Sequence, residues 1–365
     1  MEYRKLGTTG TAVSRIAFGA MYFGVHTPED EAFALLDAFV EAGGNLVDTS
    51  NVYGGGRSEE IIGRWFAGRP SDVTDRVVLA TKGRYGTGTD VNSLGSTRRQ
   101  LRRSLDGSLR RLGRDHVDLY QIHAWDPLTP IEETLAFLDD AVHSGKVNYV
   151  GLSNFAGWQL QLTLSTAQRM GIHVPVTLQQ QYSLLSRESE YEVIPAASHN
   201  NVSLLPWSPL AGGFLTGKYQ RGSTPAPDTR AGSDDELYQW VSAEYAASDR
   251  NWHTIDTVVR IARETGHTPS QVALAWTADQ PSVAAPVVGA RTLTHLTENL
   301  GAAELHLDAD TTAALDTVSA PRHGGYPYGD FGTAQRSRDF HGSKAQANLV
   351  DGGSDAPLGH ASPQA

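Results

Sequence analysis

Four ionisable side chains stand at or just beyond the ends of short apolar segments. Asp48 ends the segment NLVD, Lys82 ends VVLATK, and His123 directly follows DLYQI. Tyr53 comes five residues after Asp48, in the polar stretch that follows the same segment. If these segments are neighbouring parallel strands of a barrel, their C-terminal ends bring the four side chains together.

These residue types suit proton transfer to a carbonyl oxygen. A carbonyl that accepts a hydride also needs a proton, and a tyrosine hydroxyl can supply it although its ordinary pKa is ~10. We expect Lys82 to lower the pKa of Tyr53, Asp48 to hold Lys82 charged, and His123 to orient or polarise the carbonyl. Taken singly, each residue has a structural interpretation, as a loop cap, a strand-end lysine, a buried histidine or loop packing. Together they favour catalysis.

Eight short apolar segments alternate with segments of helical periodicity. The segments lack polar alternation, which is typical of strands buried on both faces. They cover residues 15–19, 45–48, 77–81, 117–122, 147–152, 174–178, 202–206 and 283–288. Between them, helical faces are expected from Phe33, Leu36 and Val40, from Leu94, Leu101, Leu105, Leu109 and Leu112, and from Ile131, Leu135, Leu138 and Val142. An open doubly wound sheet has the same alternation of strands and helices, but the number of strands, eight, favours an α/β fold of the (β/α)8 TIM-barrel type.

The two ends of the chain differ from this pattern. Residues 3–6 and 13–14 flank GTTG, which predicts a small N-terminal β-hairpin at the bottom of the barrel. We predict a barrel domain over residues 1–321, a C-terminal segment over 322–342 that caps the active site, and a disordered tail over 343–365. The loop over 221–235 is rich in Gly, Pro and Asp and is long enough to be functional.

Composition and charge narrow the class of protein. The chain has no cysteine and a formal net charge of -11, which argue against disulfides and against nucleic acid as a main partner. No apolar signal segment and no run of ~18 apolar residues occur, so we expect a cytoplasmic protein without membrane contact. The sequence does not predict an oligomeric state.

Two further patterns resemble binding motifs. Residues 212–218 have the spacing G-x-x-x-x-G-K of a phosphate-binding loop, but Tyr219 replaces the required Ser or Thr. Six arginines between residues 98 and 111 form a basic helix face, which we interpret as a solvated outer surface.

Thr268-Pro269-Ser270-Gln271 predicts a helix start with a capping box.

A series of motifs resembles the aldo-keto reductase superfamily over nearly all of residues 1–320. These motifs are, in order, GAMYFG, DTSNVYGGGRSEEIIG, LATKG, DLYQIHAWD, GLSNF, QQQYSLL, PWSPLAGGFLTGKY and VVGARTLTHLTENL. The resemblance implies a catalytic tetrad of Asp48, Tyr53, Lys82 and His123. It also implies NADP(H) bound in an extended form without a Rossmann domain, and no G-x-G-x-x-G occurs in the chain.

The resemblance assigns cofactor contacts position by position. Ser153, Asn154 and Gln179 correspond to groups that bind the nicotinamide carboxamide, and Trp207 to the aromatic residue that stacks on the ring. The expected pyrophosphate loop comprises Ser208, Pro209, Leu210, Gly212 and Lys218, with Arg230 closing over the cofactor. The expected adenosine end comprises Gly289, Arg291, His295, Glu298 and Asn299, with Arg291 on the 2′-phosphate. His295 stands where the family more often has Gln or Arg. Gly19, Met21 and Asp48 complete the expected cofactor set.

Within the resemblance, several functions are open. Potassium-channel β-subunits share the superfamily but typically have Asn at the histidine position, so His123 favours a working reductase over a non-catalytic cofactor-binding subunit. The motifs YPYGDFGTAQRSR, WFAGRP and SNFAGWQ look like bacterial reductases of keto or enoyl NDP-deoxysugars. A broad-specificity aldehyde or ketone reductase is the alternative.

The substrate is expected at the mouth of the barrel. We expect Tyr22, Phe23 and Trp125 to line it. In the C-terminal segment, Tyr326, Tyr328, Phe331, Arg336 and Arg338 either contact a nucleotide sugar or only fasten the segment to the barrel.

Overall fold

The computed structural model describes residues 1–86, 88–227, 229–321, 325–329 and 332, apart from the side chain of Leu237. The chain divides into two compact units, Met1–Ala320 and Pro321–Ala365. The predicted disordered tail over 343–365 lies outside the described residues, as do Phe331, Arg336 and Arg338 and most of the predicted capping segment.

Eight parallel strands close into a barrel, which confirms the predicted fold. The barrel strands are β3 (Ala17–Gly19), β4 (Leu46–Asp48), β5 (Val78–Gly83), β6 (Val117–Ile122), β7 (Val147–Ser153), β8 (Thr177–Gln181), β9 (Ser203–Trp207) and β10 (Val287–Val288). Each pairs with its neighbour in chain order, and β10 pairs with both β3 and β9. Asp48 and Lys82 therefore lie at the C-terminal ends of adjacent strands, and His123 directly follows the next one.

Two strands differ most from their predicted positions, while the others agree within two residues at each end. The strand expected over 174–178 begins at Thr177 and continues to Gln181, because the polar side chains at its end point to hydrogen-bond partners rather than ending the strand. The strand expected over 283–288 is reduced to Val287–Val288. Val283 forms only an isolated bridge to Leu204, and Pro286, which lacks an N–H, separates the two parts.

Helices surround the barrel. They are α1 (Glu29–Glu41), α2 (Arg57–Ala67), α3 (Ser71–Thr74), α4 (Arg98–Leu112), α5 (Ile131–His143), α6 (Gly157–Met170), α7 (Val193–His199), α8 (Glu236–Ala246), α9 (Asp249–Thr265), α10 (Pro269–Ala278), α11 (Leu293–Leu300) and α12 (Ala309–Ser319). Short 3-10 helices occupy Tyr53–Gly56, Glu188–Glu190 and Ala211–Thr216. Thr268 and Gln271 form the predicted capping box of α10. Leu94 is exposed and precedes α4, so its predicted place on that helix face is wrong.

The predicted hairpin is present at the N-terminal ends of the strands. β1 (Tyr3–Lys5) pairs antiparallel with β2 (Ala12–Ser14). Leu6 and Val13 are fully buried and join an apolar cluster with residues from the barrel strands, among them Leu46, Leu119 and Leu205. This layer fills the bottom of the barrel.

A buried arginine fixes the chain beside this layer. Arg15 is fully buried and donates to the carbonyl oxygens of Ala302 (3.0 Å) and Leu305 (2.9 Å) and to Asp279 Oδ1 (2.8 Å). One cation thus joins the start of β3 to the ends of α10 and α11, and its charge is matched by a carboxylate.

The sequence predicted that the basic face of α4 is solvated, but one of its arginines is paired with a buried carboxylate. Arg111 donates through Nε to the fully buried carboxylate of Glu59 at 2.8 Å, and the hydroxyl of Thr81 donates to the same carboxylate at 2.6 Å. Arg111 therefore links α4 to α2 and β5. None of the helices in the described part of the chain has the length and apolarity needed to cross a lipid bilayer.

Candidate active site

Asp48, Lys82 and Tyr53 form a continuous hydrogen-bonded group at the C-terminal end of the barrel. Lys82 Nζ donates to Asp48 Oδ2 at 2.5 Å and to the backbone oxygen of Thr49 at 2.9 Å, and it lies 3.1 Å from the Tyr53 hydroxyl. Lys82 and Asp48 are buried. Strand pairing of β4 with β5 sets the first contact, and the turn Tyr53–Gly56 returns the tyrosine over the ammonium.

Burial decides the protonation states of this group. Burial raises the pKa of Tyr53 above its ordinary value, and the Lys82 ammonium lowers it by less. The predicted net lowering of the Tyr53 pKa is therefore wrong, because desolvation of the phenolate outweighs attraction by the ammonium. Burial also opposes the charge of Lys82, but Asp48 and Tyr53 overcome it and the Lys82 pKa is raised. The group holds a protonated phenol beside a charged lysine.

His123 lies against Tyr53 and faces the same space. Its Nδ1 is 3.1 Å from Ser50 Oγ, and among the described residues its Nε2 has no hydrogen-bond partner. Burial, Lys82 and Arg84 hold the pKa of His123 well below its usual range, so the ring is neutral. The rings of Tyr53 and His123 are 5.9 Å apart and nearly perpendicular, and Tyr85 lies 4.7 Å from His123 on another side.

Asp48 is held by more donors than the sequence analysis identified. Its Oδ1 accepts hydrogen bonds from Gln121 Nε2 at 3.0 Å and from Gln179 Nε2 at 2.8 Å. Gln121 was missed, although a glutamine within the apolar segment DLYQI is a signal of an inward-facing polar contact. Gln179 was assigned to the cofactor, and its amide nitrogen is directed to Asp48.

The residues expected at the nicotinamide end are close together. Asn154 donates to the His123 carbonyl at 2.9 Å and to Ser153 Oγ at 3.1 Å, and it accepts from Trp207 Nε1 at 3.0 Å. Its φ of 56° lies in the left-handed region. Ser153 is buried and Trp207 is half-buried, so the indole ring is fixed next to the tetrad.

The loop after β9 forms a cradle of the kind that binds anions. Ser208, Ala211, Gly212 and Gly213 all have positive φ. Successive residues of this conformation can turn backbone N–H groups into a concave surface that accepts a phosphate. The Lys218 ammonium lies close to Gly213, 2.8 Å from where a Cβ atom would stand there. Pro209 is buried and Leu210 half-buried beneath the loop.

Arg230 adds a second cation to this cradle. Its guanidinium lies over the rings of Tyr22 at 5.1 Å and Tyr238 at 4.6 Å, and its buried Nε has no hydrogen-bond partner among the described residues. Its side chain also approaches Gly212. Two cations and a positive-φ loop fit the pyrophosphate of a dinucleotide.

The expected adenosine end lies at the start of α11. Thr292 caps this helix by accepting from His295 N. Burial lowers the pKa of His295, and the charges of Lys218 and Arg291 lower it further. Three basic residues thus share one neighbourhood, which suits a phosphate. Glu298 is half-buried and Asn299 buried on the same helix, while Gly19 and Gly289 lie on or next to the paired strands β3 and β10 and Met21 is exposed.

Of the three residues expected to line the substrate mouth, Phe23 lies in the core instead. It is 1% exposed and packs against Phe18 in the core, because its side chain turns inward from the loop after β3. Tyr22 lies against Gly289 and under Arg230, on the side of the expected cofactor contacts. Trp125 is half-buried and contacts Phe155 at 5.4 Å and the 62% exposed Trp158 at 5.5 Å. Trp125 and Trp158 form an aromatic shelf at this end of the barrel.

One cluster with metal-ligand spacing lies elsewhere in the described part of the chain. Asp139, His143 and His173 bring their ligand atoms within 4.8 Å of one another. Each imidazole already directs its Nδ1 to an oxygen of Asp139, at 2.6 Å for His173 and 3.0 Å for His143. Hydrogen bonds account for this geometry.

Fold and site together define an oxidoreductase, and comparison with known proteins gives its family. Residues 15–320 match the model of the aldo/keto reductase family, to which the chain belongs. Enzymes of this family reduce carbonyl groups with NAD(P)H.

Several relatives are similar over nearly their whole length. An uncharacterized oxidoreductase of Bacillus subtilis (strain 168) is 38% identical over 327 residues, which cover 87% of this chain and 96% of that protein. A versiconal hemiacetal acetate reductase of Aspergillus parasiticus is 33% identical over 347 residues, 88% of this chain and 98% of the other. A probable voltage-gated potassium channel subunit beta of Oryza sativa subsp. japonica is 36% identical over 325 residues, 88% of this chain and 96% of the other.

Proposed function

We propose that this protein is an NADPH-dependent carbonyl reductase in which Tyr53 is the proton donor. The observation that supports this most directly is the part-buried contact of the Tyr53 hydroxyl with Lys82 Nζ, 3.1 Å away. Beside it lies His123 Nε2, which has no hydrogen-bond partner among the described residues. A carbonyl oxygen placed between the hydroxyl and the imidazole receives hydrogen bonds from both.

The residues divide the work of the reaction. Bound NADPH supplies the hydride. Tyr53 transfers its proton to the carbonyl oxygen, and the charged Lys82 stabilises the phenolate that remains. Asp48 holds Lys82 in place and balances its charge. His123 is neutral and donates through Nε2 when Nδ1 accepts from Ser50, which orients the carbonyl.

Residues on strands β7 to β9 and on the loops after β7, β9 and β10 would hold the cofactor. Trp207 would stack on the nicotinamide, Lys218 and Arg230 would bind the pyrophosphate, and Arg291 would bind the 2′-phosphate. Ser153, Asn154 and Gln179 would hold the carboxamide. Gln179 would then share its amide between the cofactor and Asp48.

For the substrate, we propose a keto or enoyl NDP-deoxysugar of a secondary-metabolite pathway. The support is the sequence resemblance together with the exposed aromatic shelf of Trp125 and Trp158, since a nucleobase or sugar face can stack on such a surface. A broad-specificity aldehyde or ketone reductase is the alternative.

A substrate panel tests the proposal. Purified protein is given NADPH with dTDP-ketosugars and with simple aldehydes and ketones, and loss of NADPH is followed. Turnover of a dTDP-ketosugar with at least ~10-fold higher kcat/KM than any simple aldehyde supports the sugar assignment. Turnover of simple aldehydes alone supports the broad reductase.

Binding of NADPH without turnover of any carbonyl would instead favour a cofactor-binding subunit. The similarity to a protein named as a probable channel subunit beta is the observation behind this second candidate. His123 opposes it, since the family resemblance implies asparagine at this position in such subunits.

The C-terminal segment provides a further test of the sugar assignment. Truncation after Pro321 should raise KM for a dTDP-ketosugar at least ~10-fold, which corresponds to ~1.4 kcal/mol, and should change reduction of a small aldehyde little. Unchanged sugar kinetics would mean that the segment does not bind the nucleotide.

A further inference from the structure

Arg84 has a backbone conformation that side chains rarely adopt. It directly follows β5, two residues beyond Lys82, and its φ is 123°. Its carbonyl oxygen is fixed by the backbone N–H of Gly95 at 2.9 Å, and the preceding Gly83 is packed so closely that a Cβ there would meet the Tyr120 hydroxyl at 2.0 Å. A strained arginine at this position requires a compensating role or compensating contacts.

The contacts of its side chain do not provide that compensation. The guanidinium lies over the Tyr85 ring at 4.8 Å and donates one hydrogen bond, from NH2 to the Trp125 carbonyl at 3.2 Å. Its Nε is buried and has no hydrogen-bond partner among the described residues. An arginine has five N–H donors, and within the described part of the chain Arg84 uses one of them.

The charge of Arg84 is also unmatched locally. Among the described residues, no carboxylate comes within 4.0 Å of its guanidinium. Asp126, whose pKa Arg84 helps to lower, instead accepts from Ser96 N, the Thr129 hydroxyl and Leu128 N. By contrast, the buried Arg15 is paired with Asp279 and Arg187 with Glu190.

Arg84 faces the space above the tetrad. Tyr85, on which it stacks, lies 4.7 Å from His123, and Trp125, to which it donates, belongs to the aromatic shelf. Asp48 and Lys82 cancel each other's charge and His123 is neutral, so Arg84 leaves this space positive in a chain whose formal net charge is -11. A local positive site in an acidic protein attracts and selects anions.

We infer that Arg84 is an anion subsite that binds a carboxylate or phosphate carried by the carbonyl substrate. This inference rests on the proposed reductase function and names the residue that selects the substrate class. A diphosphate joined to a ketosugar fits the subsite, and so does a simple aldehyde acid. In either case Arg84 holds the anionic group while the carbonyl reaches Tyr53.

A matched pair of probes isolates the charge. 4-Carboxybenzaldehyde and its methyl ester have the same reacting aldehyde and nearly the same shape, and only the first is anionic. The variant Arg84→Met keeps the aliphatic part of the side chain and removes the charge. Arg84→Lys keeps a positive charge without the planar guanidinium and its paired donors. Arg114→Met is the control, because Arg114 also lies half-buried over a ring, Phe66 at 5.0 Å, and has no ion pair with a carboxylate among the described residues.

We expect Arg84→Met to lower kcat/KM for the carboxylate at least ~10-fold, through KM, and to change kcat/KM for the ester less than ~3-fold. Arg84→Lys should recover part of the loss. High salt should reduce the wild-type preference for the carboxylate. Arg114→Met should leave both substrates unchanged.

Two outcomes would overturn the subsite. Equal losses for both aldehydes, with a fall in kcat, would show that Arg84 only positions Tyr85 and His123. No loss for either would show that the guanidinium does not reach the substrate.

A binding measurement separates this inference from the proposed function. Calorimetric titration of the NADPH complex with benzoate needs no turnover, and Arg84→Met should weaken benzoate at least ~10-fold. If neither aldehyde is reduced but Arg84→Met loses affinity for benzoate, the reductase proposal fails and the subsite stands. Equal benzoate affinity in wild type and Arg84→Met overturns the subsite even if both aldehydes are reduced.

Discussion

The two ends of the barrel, the bottom at the N-terminal ends of the strands and the top at their C-terminal ends, differ in how their buried arginines are paired. At the bottom, Arg15 is paired with a carboxylate and two carbonyl oxygens, beside an apolar layer that contains Leu6 and Val13. At the top, Arg84 and Arg230 each have a buried Nε with no hydrogen-bond partner, and no ion pair with a carboxylate, in the described part of the chain. The Nε of Arg15 also lacks a hydrogen bond there, but it lies 3.7 Å from the Glu2 carboxylate. A buried cation that is paired with a carboxylate stabilises a fold, whereas one without such a pair is available to an anionic ligand.

Backbone strain is distributed in the same way. Of the six described non-glycine residues with positive φ, four follow the C-terminal end of a barrel strand: Arg84, Asn154, Ser208 and Ala211. Strained backbone at the top of the barrel therefore lowers the stability of the fold, and it presents side chains and backbone donors there. The comparison teaches that substitutions at the top should change activity and those at the bottom should change stability.

The strongest test of this division is Tyr53→Phe. The ring and its packing remain, but the proposed proton donor is lost, so we expect carbonyl reduction to fall at least ~100-fold. NADPH affinity and the free energy of unfolding should stay near wild type, as measured by fluorescence titration and urea denaturation.

Tyr149→Phe is the matched control, because the Tyr149 hydroxyl bonds to Thr11 near the bottom hairpin. It should leave turnover unchanged. Near-normal turnover in Tyr53→Phe would remove Tyr53 from its proposed role.

At the bottom, Arg15→Met should have the converse effect. It leaves the carbonyl oxygens of Ala302 and Leu305 without their donor and leaves Asp279 with Arg4 as its remaining arginine partner, so we expect the free energy of unfolding to fall by about 3 kcal/mol. The kcat of the folded protein should not change. A fall in kcat comparable to that of an active-site variant would break the division between the two ends.

Cofactor selection should depend on a single cation at the top. Arg291→Ala removes charge-assisted hydrogen bonds to the 2′-phosphate and should weaken NADPH by about 1.5–3 kcal/mol while leaving NADH almost unchanged. Titration of both cofactors measures this, with Arg263→Ala on the exposed face of α9 as the control. Equal losses for the two cofactors would make Arg291 structural.

The smallest expected effect is that of pH on turnover. Burial raises the pKa of Tyr53 above 10.0, so the donor stays protonated as pH rises to about 9. The pKa of His123 is held well below 6.5, so the ring is neutral above that value and becomes charged only at lower pH. We therefore expect kcat to be nearly constant between pH 6.5 and 9. A profile with a break near pH 7.5 would show that one of these groups titrates in solution as an ordinary side chain.

The sequence predicted which residues gather at the top of the barrel better than it predicted their orientation and pKa values. Asp48, Lys82 and His123 could be placed because each stands where an apolar strand ends, which is a local signal. Phe23 could not, since an aromatic residue next to Tyr22 gives no indication of which one turns inward. The pKa of Tyr53 was misjudged because it depends on a balance between burial and one charge.

Other features have no sequence signal of this kind. The φ of Arg84 and the missing partner of its Nε depend on how the loop after β5 meets the loop after β6. Gln121 was visible as a polar residue in a strand, but its partner Asp48 is 73 residues away and is fixed by strand pairing. Contacts of this kind require the three-dimensional structure.

The hydrogen bonds of Asp48 have a consequence for how this protein can change over evolution. Asp48 ends β4, and three other strands, β5, β6 and β8, reach its carboxylate through Lys82, Gln121 and Gln179. A substitution among these residues disturbs catalysis and the barrel at once, so few are tolerated. Arg84 lies outside this arrangement, on a loop, and can be replaced while the strands keep their contacts. New substrates are therefore accessible by single changes in the loops, whereas the reaction itself is inherited with the barrel.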